Sequence, residues 1–156
     1  MTNGNRVLQE GDMLLLIDQK DRRYLLTLES NSEFHSHSGF ISHNDLIGKA
    51  DGITIKSTGG LEYLALRPTM SDVILKMPRS AQIIYPKDIG PILIAADIAE
   101  GDKVLESGVG SGALSIALLR AGANVTGIEL REDFAQRARK NVEAFFSDQT
   151  VNERYN

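Results

Sequence analysis

The sequence contains no cysteine, which excludes a disulfide framework and any metal site built from thiolates. It has no apolar run approaching the roughly 20 residues that a membrane-spanning helix needs. The first five residues are polar and do not resemble a secretory signal. The net charge of −4 does not favour a non-specific nucleic-acid binder, since such proteins are usually basic. Together these absences predict a cytoplasmic protein without a membrane anchor.

What is present is a globular composition, with 42% hydrophobic and 24% charged residues in 156, enough for one or two domains. The N-terminal part consists of short apolar segments separated by polar turns such as Lys20–Arg23, a pattern typical of hairpins. It predicts a small β-barrel or sandwich domain over residues 1–66. The expected strands are Met13–Ile17, Tyr24–Leu28, Gly39–Ile41, Ile53–Lys56 and Tyr63–Leu66.

The pattern changes after Leu66. In residues 67–80, Val73, Ile74 and Met77 lie at helical spacing before Pro78, which predicts a linker helix. A second helix is expected from about Pro86 to Ile98, with Pro91 in its first turn, where proline removes no needed hydrogen bond.

Residues 81–156 have an α/β pattern. Two expected strands, Val104–Glu106 and Asn124–Glu129, alternate with apolar helix faces at residues 114–121 and 134–145. Gly122 is placed to end the first of these helices in a left-handed cap. This βαβα run predicts the beginning of a Rossmann-like, doubly wound parallel sheet. Two strands do not complete such a sheet, and residues 147–156 are polar without a clear period, so we expect a truncated chain from a longer protein.

The loop between the first strand and helix has the pattern Glu106-x-Gly108-x-Gly110-x-Gly112. Such a loop offers backbone N–H groups and the positive end of a helix dipole to a nucleotide-type ligand. Glu129, seventeen residues after Gly112, is placed to accept hydrogen bonds from ribose hydroxyls. Dinucleotide enzymes prefer G-x-G-x-x-G, whereas this spacing resembles motif I of S-adenosylmethionine-dependent methyltransferases. A loop without a ligand is the remaining alternative.

Several blocks together resemble the tRNA (adenine-N1-)-methyltransferase family, over about residues 11–146. The most specific blocks are Ile84–Asp88, the glycine loop Val104–Leu114 and the segment Glu129–Phe134. Further similarity lies at Phe34–His37, His43–Gly48, Arg67–Thr69 and Met77–Arg79.

This resemblance implies a class I methyltransferase that uses S-adenosylmethionine to methylate N1 of the T-loop adenine, position 58 of tRNA. It also implies an N-terminal β domain that helps to hold tRNA, a homotetramer, and Tyr85 as a wall of the active site. The candidate cofactor-binding residues are Glu106, Gly108, Val109, Gly110, Ser111, Gly112, Ala113, Leu114, Glu129 and Leu130.

The sequence departs from the family in two places. Ser107-Gly108-Val109 stands where the family often has Ala-Gly-Thr or Ala-Gly-Ala. More seriously, the family's active-site aspartate lies in an Asp-Leu-Pro type motif that this sequence lacks. Because that carboxylate would stabilise the charge developing on the methylated base, we expect the 156-residue chain alone to be inactive.

Other charged and polar residues admit two interpretations. Four cationic residues are candidates for tRNA phosphate contacts, although an ordinary solvated charge is the favoured interpretation of any single one: Arg67, Lys76, Arg79 and Lys87. Glu106 either contacts the cofactor or braces the loop. His35 and His37 share one strand face, but a polar surface suits them better than a metal site, and we expect no metal.

Two rival functions remain open. One is a methyltransferase that acts on another RNA or on a small molecule. The other is a non-catalytic RNA-binding or assembly subunit of the same fold, which would have no physical need for an intact glycine loop and Glu129.

Overall fold

The computed structural model describes residues 7–79 and 82–156. The chain divides into two compact units, Met1–Val73 and Ile74–Asn156. The first has antiparallel strands and the second alternates helices with parallel strands, so the predicted α/β class with an N-terminal β region is confirmed. None of the helices within the described ranges combines the length and the apolar character needed to cross a membrane.

The first unit contains a four-stranded antiparallel sheet in the order β2-β1-β6-β5 and a separate hairpin, β3-β4. Every expected strand of this region is present, within a residue or two of the predicted ends. The elements are β1 (Met13–Asp18), β2 (Arg23–Thr27), β3 (Glu33–Ser36), β4 (Gly39–Ser42), β5 (Ile53–Lys56) and β6 (Glu62–Leu66), with a short 3₁₀ turn at His43–Asp45.

The β1–β2 hairpin is closed by Asp18. Its Oδ1 accepts hydrogen bonds from the backbone N–H groups of Lys20 (2.9 Å) and Arg22 (3.0 Å), and its Oδ2 accepts from Nε of Arg22 (2.6 Å). Asp21 adopts a positive φ of 57° in the turn. The polar run after β1 is therefore a structural turn, as the sequence indicates, and the Asp18 carboxylate that closes it is buried.

The core of this unit lies between the sheet and the hairpin. Alternate residues of β1 (Leu14 and Leu16) and β6 (Tyr63 and Ala65) are fully buried, as expected for strands with one face towards a core. Phe34 of β3 packs 5.8 Å from the ring of Tyr63 and attaches the hairpin to that face.

The second unit contains a parallel pair, β7 (Lys103–Ser107) and β8 (Asn124–Ile128), with Val104 opposite Val125. This alternation of strand and helix confirms the predicted βαβα run. Its helices are α2 (Pro86–Ala95), α3 (Ala113–Ala121), α4 (Glu132–Phe145) and α5 (Asp148–Arg154), while the short α1 (Met70–Lys76) lies across the division between the units.

Gly122 ends α3 as predicted. Its φ is 104°, in the left-handed region, and a Cβ atom there would lie 2.6 Å from Cα of Glu100. Only glycine satisfies both the backbone conformation and this close approach.

One local prediction was wrong, and one helix was not predicted. Helix α2 begins at Pro86, so Pro91 is its sixth residue and lies in the second turn rather than the first. Residues 147–156, which show no clear period, contain the helix α5, capped by the hydroxyl of Ser147. Its single buried apolar side chain, Val151, is too little to give a periodic pattern in seven residues.

Candidate cofactor site

The loop between β7 and α3 contains three glycines in a backbone conformation that other residues rarely adopt. Gly108, Gly110 and Gly112 have φ angles of 80°, 61° and 83°, in the left-handed region that residues with a Cβ rarely adopt. The N–H of Gly108 donates to the carbonyl of Ile128 (2.7 Å), which ties the start of the loop to the end of β8. The sequence pattern of alternate glycines thus reflects a backbone requirement.

The three glycines meet different surroundings. A Cβ at Gly108 would have nothing within 4 Å, and one at Gly110 would only reach a backbone oxygen at 4.0 Å. A Cβ at Gly112 would lie 3.2–3.4 Å from the backbone and Cβ of Ala138 in α4. The first two positions therefore border open space where a ligand could approach the backbone, whereas Gly112 allows a helix to pack behind the loop.

Glu129 lies across the loop at the end of β8. Its Oε2 accepts a hydrogen bond from the N–H of Gly110 (2.9 Å), and its Oε1 accepts from the N–H of Arg131 (3.1 Å). The N–H groups of Arg131 and Gly110 lower the pKa of Glu129, so it is charged at neutral pH. Each carboxylate oxygen keeps a further lone pair for a ligand hydroxyl.

Glu106, the acid before the first glycine, points into the protein. It is 7% exposed, and its Oε2 accepts a hydrogen bond from the hydroxyl of Ser115 in α3 (2.5 Å). Burial raises the pKa of Glu106, and the bond from Ser115 offsets part of the rise. Burial also raises the pKa of the Tyr155 phenol, and Ser115 offsets part of that rise. This arrangement braces the loop from below.

A small cavity of about 50 Å³ lies beside the loop. One wall is the segment Gln82–Ile84, and the other consists of Glu106 and residues from Gly108 to Leu114. Ser111 is 3% exposed, and its hydroxyl has no hydrogen-bond partner among the described residues. A buried hydroxyl without a partner is costly, so this wall has a polar group that a bound ligand would satisfy.

The remaining candidate cofactor residues lie around the loop. Val109 and Ala113 are buried at 7% and 4% exposure, Leu114 is half-buried, and Leu130 is 98% exposed just beyond Glu129. Tyr85 is 40% exposed and caps the start of α2 through its backbone, close in sequence to the cavity wall.

The four cationic candidates differ in their surroundings. Arg67 makes an ion pair with Asp12 (2.7 Å) and also donates to the carbonyl of Val7. Lys87 pairs with its neighbour Asp88 (2.7 Å). Lys76 and Arg79 are both exposed to solvent. The structure thus gives Arg67 an internal structural role and leaves Lys76 and Arg79 at the surface.

The three histidines have separate partners. His35 pairs with Glu33 (3.1 Å), while His37 lies 3.3 Å from a guanidinium nitrogen of Arg22. Nδ1 of the buried His43 accepts from the N–H of Glu29 (3.1 Å). Within residues 7–79 and 82–156, no three His, Asp or Glu side chains are grouped to hold a metal ion.

Two residues that touch the site were missed in the sequence. Ser115 supports Glu106, and Asn141 of α4 donates hydrogen bonds to the carbonyls of Ser111 and Pro78. The only signal in the sequence was that each is a polar residue within a helix. The structure shows both to be buried, with Ser115 at 0% and Asn141 at 5% exposure. Such a position becomes recognisable once the packing partner of the helix is known.

Two family profiles match the sequence. Residues 7–55 match the family described as TrmI-like N-terminal. Residues 62–154 match the family described as tRNA methyltransferase complex GCD14 subunit.

A curated relative covers most of the chain. The tRNA (adenine(58)-N(1))-methyltransferase TrmI of Thermus thermophilus is 37% identical over 141 residues, which are 88% of this chain and 55% of the relative. The chain therefore spans about half the length of the curated relative that it matches.

Two solved structures are similar to the whole chain. A SAM-dependent O-methyltransferase from Thermotoga maritima superimposes with a TM-score of 0.84 and 35% identity, covering 96% of this chain and 56% of that one. The tRNA (m1A58) methyltransferase TrmI of Aquifex aeolicus gives a TM-score of 0.76 and 28% identity, covering 97% and 57%. Both neighbours are methyltransferases, and they differ in the acceptor.

Proposed function

Because the chain belongs to the tRNA (adenine-58-N1)-methyltransferase family, we propose that its glycine loop binds S-adenosylmethionine for methylation of N1 of the T-loop adenine of tRNA. The observation that carries this proposal is the carboxylate of Glu129, held across the loop by the N–H of Gly110. This carboxylate lies beside the loop in which Gly108 and Gly110 have left-handed backbone conformations and border open space.

The residues present suit this cofactor. Glu129 would accept hydrogen bonds from the two ribose hydroxyls, since its oxygens each retain a lone pair. The buried hydroxyl of Ser111 and the open side of Gly108 and Gly110 would face the amino-acid part, with Glu106 supporting the loop from below. Leu130, fully exposed after Glu129, would cover one face of the adenine ring.

When bound, the cofactor supplies a methyl group on a positively charged sulfur, already electrophilic towards a lone pair such as that of adenine N1. The protein therefore has mainly to position the two reactants and to exclude water. The loop and Glu129 would fix the donor. Tyr85, partly exposed where the chain enters α2, would form a wall against the base. A target base within folded RNA must be turned out to reach such a wall.

The match of residues 7–55 to the TrmI-like N-terminal family supports tRNA as the acceptor rather than a small molecule. Lys76 and Arg79, which are exposed, are the better candidates for phosphate contacts. Contacts of this kind make affinity fall as salt concentration rises. A homotetramer in the cytoplasm remains a prediction from the resemblance, to be checked by light scattering and fractionation.

The similarity to the Thermotoga maritima O-methyltransferase supports a second candidate, a methyltransferase for another RNA or a small molecule. Both candidates need the same cofactor loop, so cofactor binding does not separate them. Salt-dependent binding of tRNA to this chain favours the first candidate, and its absence favours the second. A non-catalytic subunit would bind RNA but not the cofactor.

The test of the cofactor site is calorimetric titration with S-adenosylhomocysteine, with NAD as the competing ligand class. We expect binding of the first alone. Glu129→Ala removes two charge-assisted hydrogen bonds of about 1.5–3 kcal/mol each, so affinity should fall by at least about 100-fold. Glu132→Ala is the matched control, since that exposed carboxylate accepts instead from Gln136. A folded chain that binds NAD, or neither ligand, contradicts the proposal.

A further inference from the structure

Asn141 connects two segments that are distant in sequence. It lies on α4, is 5% exposed, and uses both hydrogens of its side-chain amide. One is donated to the carbonyl of Ser111 in the glycine loop (2.9 Å) and the other to the carbonyl of Pro78 (2.8 Å).

One of these carbonyls belongs to the cavity beside the loop, and the other belongs to the chain shortly before its second wall. Ser111 lies in one wall, and Pro78 precedes the other wall, Gln82–Ile84, by four residues. Ala138 lies one turn before Asn141 on the same helix and contacts Gly112. Helix α4 therefore backs the loop through Ala138, and Asn141 of the same helix holds the carbonyls of Ser111 and Pro78.

We propose that Asn141 is a positioning residue that holds the glycine loop at Ser111 to the segment at Pro78 and thereby sets the affinity for the cofactor. The expected effect on cofactor affinity rests on the proposed function. The expected effect on the order of the glycine loop does not depend on that function. A planar amide is suited to the task because its two donors have a fixed geometry. Because the residue is buried, water does not replace either bond when the side chain changes.

Two substitutions separate donation from packing. Asn141→Asp keeps the size of the side chain but has no N–H, so an oxygen would face two carbonyl oxygens. Asn141→Leu keeps the branched shape and leaves both carbonyls without this donor. If the residue served only to fill space, the leucine variant would behave as the wild type.

The chain offers a matched control in Asn124. Its side-chain amide also donates to two backbone carbonyls, those of Gly101 (3.2 Å) and Asp102 (3.5 Å), at the opposite ends of β7 and β8 from the loop. Asn124→Asp therefore removes the same kind of contact away from the cavity.

The experiment measures amide hydrogen exchange of residues 108–114 and calorimetric affinity for S-adenosylhomocysteine in the wild type and the three variants. We expect both Asn141 variants to exchange faster in the loop and to bind about tenfold or more weakly, with Asn124→Asp within twofold of the wild type. Unchanged loop exchange and affinity in the Asn141 variants, or an equal loss in Asn124→Asp, overturns the inference.

Two further results keep the tests distinct. If the wild type binds no S-adenosylhomocysteine, the proposed function fails, while the exchange data still decide the role of Asn141. If the variants do not fold, NMR of the wild type decides, since both side-chain amide protons of Asn141 should be protected from exchange. Rapid exchange of these two protons would overturn the inference directly.

Discussion

Replacing Gly112 by alanine tests whether α4 shapes the cofactor loop. Gly112 has a φ of 83°, so alanine pays a left-handed backbone cost of about 1–2 kcal/mol. The new methyl group would lie 3.2–3.4 Å from backbone and Cβ atoms of Ala138, and overpacking of this kind typically costs about 1–3 kcal/mol. Reduced freedom of the unfolded chain returns about 0.4–1 kcal/mol. We therefore expect Gly112→Ala to lower the free energy of unfolding by about 1–4.5 kcal/mol.

Gly101→Ala is the matched control for this prediction. Its φ is 89°, but a Cβ there has nothing within 4 Å, so it carries the backbone cost without the contact. Urea unfolding gives the free energy of unfolding of each variant. In the difference between the two variants the shared backbone and unfolded-state contributions cancel, which leaves about 1–3 kcal/mol for the contact with Ala138. Equal losses in the two variants would refute the view that α4 packs directly on the loop.

Two further predictions concern the supports of the second unit. Burial raises the pKa of Glu106 in the folded protein above its ordinary value in the unfolded chain. Protonated Glu106 therefore stabilises the fold at low pH, and this contribution is lost as pH rises through the two pKa values. The Glu106→Gln variant keeps an acceptor for Ser115 but has no carboxyl group to ionise. In urea titrations, the free energy of unfolding of this variant minus that of the wild type should therefore increase from pH 4 to pH 8. A difference that does not change with pH contradicts the burial argument. Arg154 donates to the carbonyls of Leu119 (2.6 Å) and Ala123 (2.9 Å), so Arg154→Met should cost about 1.5–3 kcal/mol. Arg137 is exposed on α4, and Arg137→Met is the control, which should change the free energy of unfolding by less than about 0.5 kcal/mol. A similar loss in the Arg154 and Arg137 variants would mean that α5 is not held by Arg154.

Much of the fold could be predicted because the relevant signals are local. The strand periods, the hairpin turn before Arg23 and the left-handed end of α3 at Gly122 depend on residues near one another in the chain. Helix α5 was missed because one buried side chain, Val151, does not make a pattern in seven residues. Its attachment depends instead on Arg154, which reaches carbonyls more than thirty residues away.

The same division applies to the cofactor site. The spacing of Gly108, Gly110 and Gly112 and the position of Glu129 are legible in the sequence, because a strand-loop-helix turn imposes the conformations on consecutive residues. Only the tertiary structure shows that Glu129 holds the N–H of Gly110 and that Glu106 turns inward to Ser115. It alone identifies Asn141 as the link between the glycine loop and the segment at Pro78, because a buried amide acquires its partners when α4 packs against the loop.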